Sequence, residues 1–281
     1  SAMTLFGSKK DKKETTKPVQ SDYNKLVGRD TMAIKGLMGV IQKENDYYLE
    51  IPKTLIGREI LVSNKLLQVP QELNEAGVNK GINYENKTIK FEWEKGLNKL
   101  NIREQRLTPE VYSFYAMAPS VKDNYINPLI ASLKIEGVSK DSASVVVKVT
   151  NLFNGKDECL NDVFNLINLG TSANSELSRI LSMKAFDNNV AATSELTTVV
   201  HEGKSKTNIT IVVSTSLILL PSRPMMGRLE NQRVGYFTTS RLHYGDNQPE
   251  VATKNYITRW NLEPKDTAAY MRGELVEPVK P

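Results

Sequence analysis

Short segments rich in β-branched and aromatic residues recur along this chain, set apart by Gly, Asn, Asp and Pro. The strongest is Ser144-Val145-Val146-Val147-Lys148-Val149-Thr150, β-branched almost throughout. Such side chains are stiff at χ1 and pack well on a pleated surface, so the segment predicts a strand. In residues 88–94 apolar and polar positions alternate, which places Ile89, Phe91 and Trp93 on one face of a half-buried strand. The same reading gives strands at 32–43 (interrupted by Gly36 and Gly39), 47–52, 59–63, 97–107, 111–117, 129–138, 179–186, 190–200, 208–220, 235–243 and 252–261. Turns are expected at Asn45-Asp46, Ile56-Gly57 and Glu85-Asn86-Lys87, and His201 to Lys206 reads as a polar hairpin loop. Helical spacing is confined to 162–169, where Val163, Phe164 and Ile167 share a face and Gly170 would end the helix. The expected fold is mainly β: antiparallel sheets, as a sandwich or a strongly curved sheet, with few short helices.

Composition narrows the function classes. At 281 residues the chain can bury a sizeable core without disulfide or metal staples, in one large or two modest domains. Its 37 basic and 32 acidic residues are interspersed, so the net charge of +5 forms no basic stripe, and nucleic-acid binding is not expected. Cys159 is the single cysteine, which rules out an intrachain disulfide. Asp157 and Glu158 beside it disfavour a thiolate, so a bland cysteine is favoured over a nucleophile or ligand. No apolar run is long enough to span a membrane as a helix; the longest, 209–221, is broken by Ser214, Thr215 and Ser216. The expected organisation is a flexible basic leader at 1–22, a small β module at 23–70, a main antiparallel β domain at 71–272 and a linker at 273–281. The opening Ser1-Ala2-Met3 reads as a cloning remnant.

Motifs that carry chemistry are incomplete. His201-Glu202 begins a zinc-helix pattern, but Ser205 stands where the second histidine is required, and His243 is the sole other histidine. Gly203-Lys204-Ser205 resembles the end of a phosphate loop, yet Thr198 occupies the position of its first glycine. No nucleophile elbow exists, and Glu92 with Glu94 reads as a solvated strand face. Neither a catalytic nor a metal-binding residue is assigned. Arg228, Arg233 and Arg259 beside Glu230 and Glu263 suggest charge-assisted hydrogen bonds that pin loops, against the blander alternative of weak surface ion pairs. Tyr47, Tyr48, Tyr112, Phe114 and Tyr115 are candidates for an exposed aromatic face, with core packing favoured for most.

The last quarter carries a resemblance. Arg233-Val234-Gly235-Tyr236-Phe237, Ile257-Thr258-Arg259-Trp260 and Glu277-Pro278-Val279-Lys280-Pro281 resemble the non-catalytic N-terminal region of bacterial zinc-dependent metalloproteases of the metzincin type, common among Bacteroidota. Near the other end, Tyr48-Leu49-Glu50-Ile51-Pro52-Lys53 and Leu55-Ile56-Gly57-Arg58 are similar to that family's entry segment. The resemblance implies an accessory region that packs against and supports a protease domain following Pro281, exported to the periplasm, cell surface or exterior, with its signal peptide lying upstream. It implies no cofactor in this chain and zinc in the catalytic domain. Candidate interdomain contacts are Arg228, Arg233, Tyr236, Arg259, Trp260, Glu263 and Glu277. The alternatives are a pro-region masking the protease and a module binding glycan, peptide or a cell surface.

Overall fold

Alternating burial along the strands builds the molecule. The computed structural model describes residues 23, 25–28, 32–156, 160–164, 167, 169, 171–203, 205–245, 250–260 and 262–279. Its strands are β1 (Met32–Ile34), β2 (Gly39–Lys43), β3 (Asp46–Pro52), β4 (Glu59–Gln68), β5 (Asn83–Glu94), β6 (Lys99–Gln105), β7 (Glu110–Val111), β8 (Leu129–Val138), β9 (Ser144–Lys148), β10 (Arg179–Ala185), β11 (Asn189–Glu202), β12 (Ser205–Leu219), β13 (Thr238–Tyr244) and β14 (Ala252–Ile257). Short helices among the described residues include α1 (Gln71–Glu75), α2 (Ala118–Asn124), α3 (Thr150–Phe153) and α4 (Thr267–Met271).

Eleven strands form one sheet in the order β1-β2-β3-β9-β8-β6-β5-β4-β12-β11-β10. The fold is mainly β and antiparallel, as the alternation and turn spacing imply, and the curved-sheet alternative is the one realised. The sheet bends until its ends nearly meet. The Leu37 N–H, between β1 and β2, donates to the Phe186 carbonyl just past β10 at 2.7 Å. Gly36 makes this approach possible, because a Cβ there would lie 2.7 Å from the Phe186 carbonyl oxygen and 2.9 Å from the Ala185 Cβ.

Inside the curve, β3 contributes Tyr47, Leu49 and Ile51, and β4 contributes Ile60 and Val62. Val145, Val146 and Val147 of β9 are buried on both faces, which explains its unbroken β-branched run. The α3 turn inserts Leu152 and Phe153 into this core. A second cluster sets Leu73 of α1 with Val163, Phe164 and Leu196. Each large side chain buried this way contributes about 1.5–3 kcal/mol. The buried Asn64 is satisfied: its amide donates to the Leu160 carbonyl at 2.8 Å, and its oxygen accepts from Thr215 at 2.6 Å.

The chain divides into two compact units, and the division is not the one read from the sequence. The first unit holds residues up to Glu104 and Leu129–Leu219; the second holds Gln105–Pro128 and Leu220–Pro281. No boundary between compact units falls near 70, because β4 pairs with both β5 and β12, and β3 pairs with β9. The expected module at 23–70 therefore supplies strands to the same sheet as the segment after it. Other expectations also shift. The turn expected at 85–87 is continuous strand, since Lys87 faces Val62 within β5. Strand 111–117 shrinks to β7, and turns follow from Ser113 onward. The segment expected as a free linker from 273 folds back: Pro278 bridges Pro264, and the Val279 N–H donates to the Glu263 carbonyl at 2.7 Å. The leader at 1–22, Cys159 and Gly170 lie outside the described residues, as does part of the helix expected at 162–169.

The second unit is a three-stranded sheet in the order β14-β13-β7, with α2 and α4. β7 runs parallel to β13, an exception to the antiparallel pattern. Asp266 caps α4, its carboxylate accepting from the Ala269 N–H at 2.9 Å.

Candidate functional site

Strand alternation in the second unit gathers charged residues on one face. Arg241 and His243 are two apart on β13, and Lys254 and Tyr256 are two apart on β14, so each pair shares a face. The antiparallel register sets Arg241 opposite Lys254, and the parallel pairing of β7 sets Glu110 opposite His243. With Lys122 of α2 and the adjacent Tyr125, these residues line a cleft of about 670 Å³.

Glu110 organises the floor. One carboxylate oxygen accepts from Arg241 Nη1 at 3.3 Å, and the other accepts from the Tyr256 hydroxyl at 2.8 Å. Arg241 is fixed a second time, because its Nε donates to the Thr108 carbonyl at 2.9 Å. The Tyr256 phenol is pushed up from its ordinary pKa, chiefly by donating to Glu110, then by burial and the Glu110 charge. His243 is 7% exposed, and its Nδ1 lies 3.7 Å from Glu110 Oε2, outside hydrogen-bond range, with no hydrogen-bond partner. Tyr112 meets the His243 ring edge-on at 5.8 Å and stacks on Phe114 at 5.4 Å. At the far end, Tyr125 and Tyr244 share a hydrogen bond between their hydroxyls at 3.4 Å, which raises the Tyr125 pKa.

This arrangement can hold a polar, charged ligand against aromatic walls. Reading the sequence did not find it. Arg241-Leu242-His243 and Lys254-Asn255-Tyr256 do alternate, but the partner Glu110 lies more than a hundred residues away.

The residues named as interdomain contacts lie together in the second unit without entering the cleft. Tyr236 is half-exposed and Trp260 is mostly exposed. Arg259 Nη2 donates to the Met226 carbonyl at 2.9 Å, and Glu230 accepts from the Asn255 amide at 2.8 Å; neither contact is the arginine–carboxylate pair expected. Arg228 joins the ladder through its backbone, its carbonyl accepting from the Ile257 N–H at 3.0 Å, while the Arg233 N–H closes a turn on Asn231 Oδ1 at 3.0 Å. Glu277 forms an exposed ion pair with Lys265 at 2.8 Å, and the Glu263 carbonyl holds Val279.

The same stretch exposes many apolar side chains. Between 225 and 279, fourteen large hydrophobic side chains are exposed, among them Met226, Phe237, Trp260, Leu262, Met271 and Leu275. Of the aromatic candidates, Tyr112 and Phe114 are exposed, Tyr48 and Tyr115 are partly covered, and Tyr47 is core. His201 lies in the first unit on the β11–β12 hairpin, paired with Lys206; the strands run further into that loop than expected. Among the described residues no three His, Cys, Asp or Glu side chains group to hold a metal, and no helix is long and apolar enough to cross a membrane.

A nearly closed antiparallel sheet and a smaller unit bearing a cleft thus define a β-rich protein. The chain belongs to the family described as Domain of unknown function (DUF5117), whose model matches residues 81–265. Residues 20–69 match a second model, Domain of unknown function (DUF5118). No curated protein and no solved structure matches the chain. The two matched stretches meet inside one sheet: β4 belongs to the stretch 20–69, yet lies between β5 and β12, which belong to the stretch 81–265.

Proposed function

We propose that this chain is the non-catalytic accessory region of a secreted zinc-dependent metalloprotease, and that its second unit packs against the catalytic domain. The observation that carries this reading is the concentration of exposed apolar side chains between 225 and 279. Single exposed hydrophobics are ordinary, but so many in one short stretch mark a surface that meets another protein. The same stretch contains the motifs that resemble the metalloprotease family, including Tyr236, Arg259 and Trp260. A partner domain covering Phe237, Trp260 and Met271 would remove a large apolar area from water.

The first test is the reading frame beyond Pro281, where a zinc-binding helix of the pattern H-E-x-x-H-x-x-G-x-x-H is expected; a stop codon or an unrelated domain overturns the proposal. Given that helix, this chain and the separate protease domain should form a complex in size-exclusion chromatography. Trp260→Glu with Phe237→Glu should weaken the complex by about tenfold or more, the loss typical of central aromatic anchors. Unchanged binding by that variant would remove this surface from the interface. Stabilised, active protease in the complex supports scaffolding, whereas lost activity replaces it with masking.

A further inference from the structure

We infer that the cleft of the second unit is a binding site for a small organic carboxylate. The inference is independent of the accessory role, since none of the cleft residues is among the proposed interdomain contacts.

Charge is the first argument. Arg241, Lys254 and Lys122 line the cleft, and Glu110 is its single carboxylate. Glu110 is already engaged by Arg241 and Tyr256. Lys254 faces Arg241 directly across the antiparallel ladder. Like charges in that position repel, and the repulsion is relieved when an anion sits between them. Among the described residues no carboxylate pairs with Lys254 or Lys122.

His243 is the second argument. It is more than nine-tenths buried in the cleft wall, and its Nδ1 has no hydrogen-bond partner. Buried polar atoms are almost always paired, so an unpaired one in the cleft wall marks a site that the unliganded protein leaves unsatisfied. The group nearest that nitrogen is the Glu110 carboxylate, 3.7 Å away, and a ligand carboxylate on the lysine side of the cleft would give Lys254 the counter-charge it lacks. Shape and lining set the rest of the ligand. A cleft of about 670 Å³ takes a molecule rather than a lone ion. The rings of Tyr112, Tyr125 and Tyr256 offer flat walls with polar tips, suited to the body of an acidic dipeptide or a uronic disaccharide.

The experiment is isothermal titration of the full chain with N-acetyl-glutamyl-glutamate amide and, separately, with digalacturonate; the diglutamine amide is the neutral control. At least one acid should bind with a dissociation constant tighter than about 1 mM, and the neutral control should not. Which acid binds identifies the source of the carboxylate. Lys254→Gln should weaken binding by about tenfold, as expected for a lost charge-assisted hydrogen bond. Lys265→Gln, outside the cleft, should leave binding unchanged, and both variants should keep the wild-type circular dichroism spectrum. Failure of both acids to bind, equal binding of the diglutamine amide, or no effect of Lys254→Gln in a folded variant would overturn the assignment.

Discussion

Phe153 and Phe237 are the same side chain in opposite settings. Phe153 has no solvent exposure and sits in the core of the curved sheet, whereas Phe237 is 88% exposed in the second unit. The contrast extends to the units themselves. The first is packed with buried Ile, Val and Leu, while the described residues of the second bury just Pro109, His243 and Ala269. One unit is stabilised by its own interior. The other holds its shape through a short sheet, a capped helix and side-chain hydrogen bonds around a polar cleft. A unit of that kind suits the two proposals made for it, a ligand in the cleft and a protein partner over its exposed apolar side chains.

The largest test of this contrast removes both phenylalanines in turn. Phe153→Ala should cost about 3–5 kcal/mol, the transfer term plus the cavity left in a close-packed core. Phe237→Ala should change stability by less than about 0.5 kcal/mol, as for surface substitutions away from special features. Urea denaturation followed by fluorescence reads both. Comparable losses would mean that the second unit has a core the exposed residues belong to, and the contrast would collapse.

Closure of the sheet gives the next effect. Gly36→Ala places a methyl against the Phe186 backbone and the Ala185 Cβ, atoms that cannot swing aside. The expected cost is about 1–3 kcal/mol, as for other overpacked positions, read from the denaturation midpoint. A neutral result would mean that the ends of the sheet meet loosely and that the first unit is an open sheet.

Much of the first unit was legible in the sequence because strand alternation is local. Residues 144–148 form a strand as their β-branched run implies, and 129–138 form the strand expected there. What failed was long-range. Nothing in residues 59–68 reveals that this strand lies between partners near 85 and near 215, so a domain boundary was drawn where the sheet continues. The cleft was invisible for the same reason: Glu110 meets His243 through a two-residue parallel pairing that leaves no periodic signal. Strand 111–117 was misread because Tyr112, Phe114 and Tyr115 suggest β structure by type, while their rings pack on one another in a turn.

The smallest effect sharpens the contrast at an exposed point of the first unit. Asp141 closes the turn between β8 and β9: its carboxylate accepts from the Ser139 hydroxyl at 2.5 Å and from the Ala143 N–H at 3.0 Å. Those two bonds, the Ser139 one first, hold the carboxyl below its ordinary pKa. A depressed folded-state pKa means that the charged form favours folding. Its contribution is complete above the unfolded value of about 4 and fades as the pH falls through the folded value. Asp141→Asn keeps the shape and removes the charge, so it should be slightly less stable than wild type at pH 7, with the difference vanishing towards pH 2. Thermal melts across that range measure it. A difference that stays constant with pH would show that turn geometry alone, and not the carboxylate charge, secures this corner of the sheet.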